Sequence, residues 1–120
     1  MKFVQSEIRN PVDWTALLET MGGDQLILEE MARLFLEFAP AQVKDLESAM
    51  ACADPDAVRS AAHRLKGSIS QFGVSQTTEL AAKIEELGRA GDLEQAGGLL
   101  STLVEEVRQI LIQLEFWLES

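Results

Sequence analysis

The sequence predicts an all-α protein: an antiparallel four-helix bundle with one or two short additional helices. Three observations carry that prediction. No stretch sustains the apolar–polar alternation of a half-buried strand, whereas apolar residues recur at helical spacing through most of the chain. Start and stop signals bracket those stretches, with capping residues and prolines at their beginnings and glycines just past their ends. The segments between them are short, so neighbouring helices should pack antiparallel. At 120 residues the chain fits one domain with a proper core, here read as an arm over residues 1–9 and a helical domain over 10–120.

The elements follow in order. Residues 1–9 read as an extended or frayed arm, with Phe3, Val4 and Ile8 able to lie against the body. Asn10-Pro11 offers a cap and a first helical residue for a short helix with Trp14, Leu17 and Leu18 inward, which Gly22-Gly23 ends. Asp24 caps a longer helix on which Ile27, Met31, Leu34, Phe35 and Phe38 share a face. Pro40 is expected to break or kink it near Phe38 and Ala39, after which Val43, Leu46 and Met50 resume the stripe to about Cys52. Asp54-Pro55 repeats the cap-plus-proline signal and opens a helix running to about Gln71 and stopping near Gly73. Ser75 is the expected cap of the next helix, whose Leu80, Ile84 and Leu87 form an inner face before Gly88 and Gly91 loosen its end. Asp92 with Gln95 resembles a capping box and begins the longest element. Its Leu93, Ala96, Leu100, Leu103, Val107, Ile110, Leu114 and Trp117 alternate steps of three and four, a seam suited to packing along a bundle. Gly97-Gly98 spoils the first turns of that helix for no reason the pattern supplies.

The helix opened by Asp54-Pro55 carries the chain's single histidine. Val58, Ala61, Ala62, Leu65, Ile69 and Phe72 form one apolar stripe, and at ~100° per residue His63 projects about 150° from its centre. It shares the opposite surface with Arg59, Lys66, Gly67 and Ser70. A water-facing imidazole among cations and small residues suits a nucleophile meeting a phosphoryl group, because neutral imidazole forms covalent intermediates and is well populated near neutral pH. Lys66, one turn on, can pair with phosphoryl oxygens, and Arg59, one turn back, offers a forked donor to them or to a partner. Gly67 costs roughly 1 kcal/mol relative to alanine inside a helix, and the gain is room for another protein to approach His63.

Composition narrows the alternatives. The formal charge is −10, from 20 acidic and 10 basic residues, which argues against a nucleic-acid surface. No apolar run approaches the ~20 residues of a membrane span and no signal peptide opens the chain, so the cytoplasm is the expected compartment. Lone Cys52 allows no internal disulfide, and a single histidine allows no usual metal cluster. Between Ala57 and Thr78 there is no Asp or Glu, while Arg59, Arg64 and Lys66 all fall there, a basic-to-neutral island suited to an acidic partner site.

With these residues in view, the chain resembles the histidine-containing phosphotransfer, or HPt, domain family over about residues 13 to 115. The strongest element is Ala62-His63-Arg64-Leu65-Lys66-Gly67-Ser68 followed by Phe72-Gly73; Met21-Gly22-Gly23-Asp24 and Gly88-Arg89-Ala90-Gly91-Asp92 match turns before two of the family's helices. The resemblance implies that His63 accepts a phosphoryl group from a receiver domain's aspartate and passes it to another, with Lys66 as electrostatic helper and Gly67 as the clearance residue. It implies receiver domains of response regulators and hybrid histidine kinases as partners, with no cofactor of the chain's own and Mg²⁺ held in the receiver. Arg59, Arg64, Ser70 and Gln71 are the auxiliary or partner-contacting candidates. Thr77 and Thr78 depart from the leucine-rich start that family members show in the following helix.

No ATP-binding glycine loop is present, so a phosphocarrier without autokinase activity is expected, free-standing and monomeric. The same residues also admit a bundle that binds receivers or kinases without transferring phosphate, or an acidic helical adaptor for an unrelated partner. A true enzyme ranks last, because a histidine without a carboxylate partner at helical spacing has no general-base pair.

Overall fold

The computed structural model describes residues 12–119, all of whose regular structure is helical: α1 (Trp14–Thr20), α2 (Gln25–Ala51), α3 (Pro55–Ser70), α4 (Ser75–Ala90) and α5 (Leu93–Glu119). Turns of two to four residues join them. Each of α2 to α5 packs on its sequence neighbour and α5 closes back on α2, so four helices enclose one core and short α1 lies against α2. The arm and the Asn10-Pro11 signal lie outside the described residues. The cap of α1 is Asp13, three residues beyond the expected Asn10, with its carboxylate accepting from the Ala16 N–H at 3.0 Å. Stacked rings of Trp14 and Trp117, 4.5 Å apart and 7° from parallel, tie α1 to the end of α5.

The core matches the expected stripe on α3, where Val58, Ala61, Ala62, Leu65 and Ile69 are buried, and on α5, where Ala96, Leu103, Val107, Ile110 and Leu114 are. Asp54 caps α3 through its side chain. At the start of α5 the Asp92 carboxylate takes both the backbone N–H and the side-chain amide of Gln95, a variant of the expected capping box. Gly97 and Gly98 sit exposed in an unbroken helix.

Four expectations are corrected. Pro40 lies inside α2, which runs through it as one helix, so the break among the two expected outcomes does not occur. Proline removes one backbone donor, but this site is exposed, so water can serve the freed carbonyl while Phe35, Ala39, Leu46 and Ala49 anchor both halves in the core. The inner face of α2 is Leu28, Ala32, Phe35 and Ala39, leaving Ile27, Leu34 and Phe38 half-exposed. On α4 the buried face is Thr77, Ala81, Ile84, Glu85 and Gly88, about one residue round from the expected one, with Leu80 and Leu87 at its margin. Ser75 is the first residue of α4, not its cap; Val74 precedes the helix without a side-chain capping bond. The departure at Thr77 has a structural reason, since its fully buried hydroxyl donates to Glu106 of α5 at 2.8 Å.

Candidate functional site

Two features of the fold build the site. The apolar stripe of α3 turns His63 outward, leaving its side chain 63% exposed. Gly88 lets α4 cross α3 closely: a Cβ there would stand 3.0 Å from the Arg59 backbone nitrogen and 3.2 Å from Val58 Cγ1. Gly88 is therefore a packing contact, not the loosened end expected of it. One turn before it, Glu85 faces α3.

Glu85 organises the site. Its Oε2 lies 2.9 Å from His63 Nδ1 and its Oε1 lies 2.7 Å from Lys66 Nζ, while its own side chain is 8% exposed. Arg89, one turn on, stands 3.8 Å from Oε2 and 3.5 Å from Glu86. The hydrogen bond from Lys66 holds the Glu85 carboxyl below the usual carboxylate range, against the opposing effect of burial and with further help from His63. A carboxylate held ionised has no proton to donate. The short contact to His63 therefore places a proton on Nδ1, which donates to Glu85, and in the neutral ring leaves the lone pair on Nε2. The histidine has no carboxylate partner at helical spacing on α3, as the sequence reads; its partner comes from the next helix, 22 residues on, where no spacing along α3 points to it.

The remaining candidates divide. Lys66 is adjacent to His63 as expected, but its ammonium is paired with Glu85. Gly67 is exposed, and a Cβ built there meets nothing within 4 Å, so its surface is open to an approaching molecule. Arg59 is half-buried beside the Gly88 crossing. Arg64 turns toward α2, donating to Ser60 at 2.9 Å and standing 4.0 Å from Asp45. The Ser70 hydroxyl donates to the Gly67 carbonyl at 2.9 Å. Gln71 is exposed at the end of α3 and, with Ser68, borders a groove whose other wall is α2, formed by Met31, Leu34, Phe38 and Gln42. In that groove Gln42 Oε1 is buried without a hydrogen-bond partner among the described residues. The basic island is also less basic in space than along the chain, since α4 brings Glu85 and Glu86 to it and α2 brings Asp45.

Glu85 is the functional residue that sequence reasoning missed. Its signal was an acid on the face defined by Ala81, Ile84 and Gly88, where a buried carboxylate requires a cationic or donor partner.

A bundle that excludes a histidine from its core yet grips it with a buried carboxylate defines a class, and the sequence comparison agrees: the model of the Hpt domain family matches residues 30–116, and the chain belongs to that family. Among curated proteins, it is similar to the signal transduction histidine-protein kinase BarA of Shigella flexneri, 27% identical over 84 residues. That match takes in 70% of this chain and 9% of the kinase, so the chain spans less than a tenth of that relative's length. Among solved structures, histidine-containing phosphotransfer protein B of Pseudomonas aeruginosa PAO1 superposes with a TM-score of 0.81 at 21% identity, over 90% of this chain and 94% of that one. At that identity the likeness is one of fold.

Proposed function

We propose that the chain is a phosphorelay intermediate in which His63 accepts a phosphoryl group from the aspartyl phosphate of one receiver domain and passes it to the aspartate of another. The observation that carries this reading is the exposed imidazole whose Nδ1 proton is engaged by buried Glu85. The Nε2 lone pair attacks phosphorus, the bond to the aspartyl oxygen breaks, and the aspartate leaves as a carboxylate. Transfer in the other direction reverses each change. Phosphoryl transfer is mostly positioning and charge stabilisation, so a carrier needs little machinery beyond an aligned nucleophile and a nearby cation. Lys66 supplies the cation, Gly67 the clearance, and the receiver its own acidic pocket with Mg²⁺.

The docking surface in this reading runs from His63 over α3 to the groove against α2. Ser68 and Gln71 lie about 7 and 12 Å along the α3 axis from His63. Across the groove, half-exposed Leu34 and Phe38 offer an apolar ridge to the receiver. Partners of this kind are receiver domains of response regulators and hybrid histidine kinases, a reading supported by the kinase and the phosphotransfer protein to which the chain is similar. The carrier acts as a monomer in the cytoplasm, without autokinase activity; no helix of the described residues is long and apolar enough to cross a membrane.

The test is transfer from a panel of phosphorylated receivers with Mg²⁺, following acid-labile, base-stable label on this chain. Wild type is expected to take up label and His63→Gln none. If every receiver bound the wild type and none labelled it, a non-transferring adaptor would replace the carrier.

A further inference from the structure

We propose that the groove between α2 and α5, on the side of the bundle away from His63, is a docking site for an amphipathic helix of a partner protein that carries basic side chains along the margin of its apolar face. The inference goes beyond the carrier reading and does not depend on it.

The order of packing places the groove. Helix α3 meets α4 at the histidine, and α2 meets α5 across the bundle from that seam, so a molecule seated between α2 and α5 leaves His63 open. The groove encloses about 590 Å³, and half-buried Val43 of α2 with Val104 and Leu111 of α5 form its floor. These side chains extend the core to the surface, where a partner's apolar face can cover them.

The shape of the occupant follows from the walls. Both walls are helices whose backbone groups bond within the helix, so neither offers the row of free N–H and C=O groups that an added strand would need. The occupant must satisfy its own backbone, and a helix does. On α5 the face that carries Val104 runs back through Ser101 to Gly97. A Cβ on Gly97 would have only the Met50 sulfur as neighbour, 4.0 Å off. Packing within the described residues therefore gives no reason for a glycine that weakens the helix, whereas a second helix laid over bare backbone packs more closely.

The charge of the occupant follows from the rims. Arg108 is taken up by Glu105, to which its Nε donates at 3.1 Å. Among the described residues, Glu37 and Glu47 line the groove without an ion-pair partner, and between them Lys44 is the one unpaired cation. The two acids lie about 15 Å apart along α2. One helix with Lys or Arg side chains at that separation reaches both, with a neutral residue facing Lys44. A second copy of this chain fits the site poorly, because each copy carries a formal charge of −10.

The test titrates the ¹⁵N-labelled full-length chain with a synthetic helical peptide that has leucines along one face and two lysines at its margin, spaced to meet Glu37 and Glu47. Its counterpart carries glutamates in place of the two lysines. The lysine peptide is expected to shift the amide signals of Val43, Val104 and Leu111 and to leave those around His63 in place, and the glutamate peptide to bind about tenfold more weakly. Glu37→Lys with Glu47→Lys, both on the exposed rim, should invert that preference. Gly97→Leu should resist denaturant at least as well as wild type yet bind the lysine peptide about tenfold more weakly. Absence of binding, shifts centred on Leu34 and Phe38, equal affinity for the two peptides, a preference that the double variant does not invert, or unchanged binding by Gly97→Leu would each overturn the proposal. So would two findings in the free chain: nuclear Overhauser contacts from Phe3, Val4 or Ile8 to Val104 or Leu111, which would make the chain's own arm the occupant, and groove shifts that grow with protein concentration, which would make it a second copy.

Discussion

The two flanks of α3 differ in kind. On the α4 side, helices approach closely at Gly88, and the contact with the histidine is a buried carboxylate shared among His63, Lys66 and Arg89. On the α2 side, the helices leave a groove walled by Met31, Leu34 and Phe38, with an unpartnered oxygen from Gln42. Among the described residues the first flank is satisfied and the second is not. In the carrier proposed above, that difference separates two tasks on one helix: α4 sets the protonation and orientation of the ring, and α2 presents surface for a partner to cover. On that proposal, a ring gripped from one side keeps its alignment whichever receiver fills the groove.

Breaking the α4 flank should have the larger effect. Beyond His63→Gln, which removes the acceptor, Glu85→Ala is expected to slow the limiting transfer rate by about tenfold to a hundredfold through loss of alignment, with receiver affinity nearly unchanged; single-turnover transfer at saturating receiver checks this. Breaking the α2 flank should do the converse. Phe38→Ala is expected to weaken receiver binding by about tenfold, on the order of 1–2 kcal/mol, and to leave the limiting rate intact in the same assay.

Two further variations sharpen the contrast through stability. Gly88→Ala gains helix propensity of about 1 kcal/mol but forces a Cβ against the α3 backbone, an overpacking cost of about 1–3 kcal/mol, so a net loss is expected in denaturant unfolding, accompanied by slower transfer as Glu85 is displaced. Acid should act on the same flank. The Glu85 carboxyl is held below its ordinary value in the folded protein, so its ionised form stabilises the fold fully above about pH 4.3, and that contribution is lost as pH falls through the folded-state value. Thermal melting between pH 6 and 3 should therefore fall more steeply for wild type than for Glu85→Gln.

How far the sequence reveals this arrangement depends on how many apolar residues each helix carries. On α3 they barely fill one stripe, so there is one way to bury them and His63 is left outside; the placement of Lys66 and Gly67 on the histidine's surface follows from the same wheel. Helix α2 carries more than a stripe can hold. Leu28, Ala32, Phe35 and Ala39 take the core, while Ile27, Leu34 and Phe38 form an equally regular series one residue round, which periodicity alone cannot reject. The ambiguity is itself informative, since two of the surplus residues, Leu34 and Phe38, wall the groove. Pro40 misleads because a missing donor matters less on an exposed helix face whose two halves are both anchored. Glu85 is hidden for another reason. The pairing with His63 spans two helices, so no spacing along the chain encodes it, and an acid on an inner face reads as polar until its partners are seen in space.

The separation of tasks is tested most directly by single-turnover transfer from one phosphorylated receiver, titrated against wild type, Phe38→Ala and Glu85→Gln at pH 8. The account predicts that Phe38→Ala raises the half-saturating concentration and leaves the limiting rate alone, while Glu85→Gln lowers the limiting rate and leaves half-saturation alone. If both variants moved the same parameter, the two flanks would be one functional unit and the account would be contradicted.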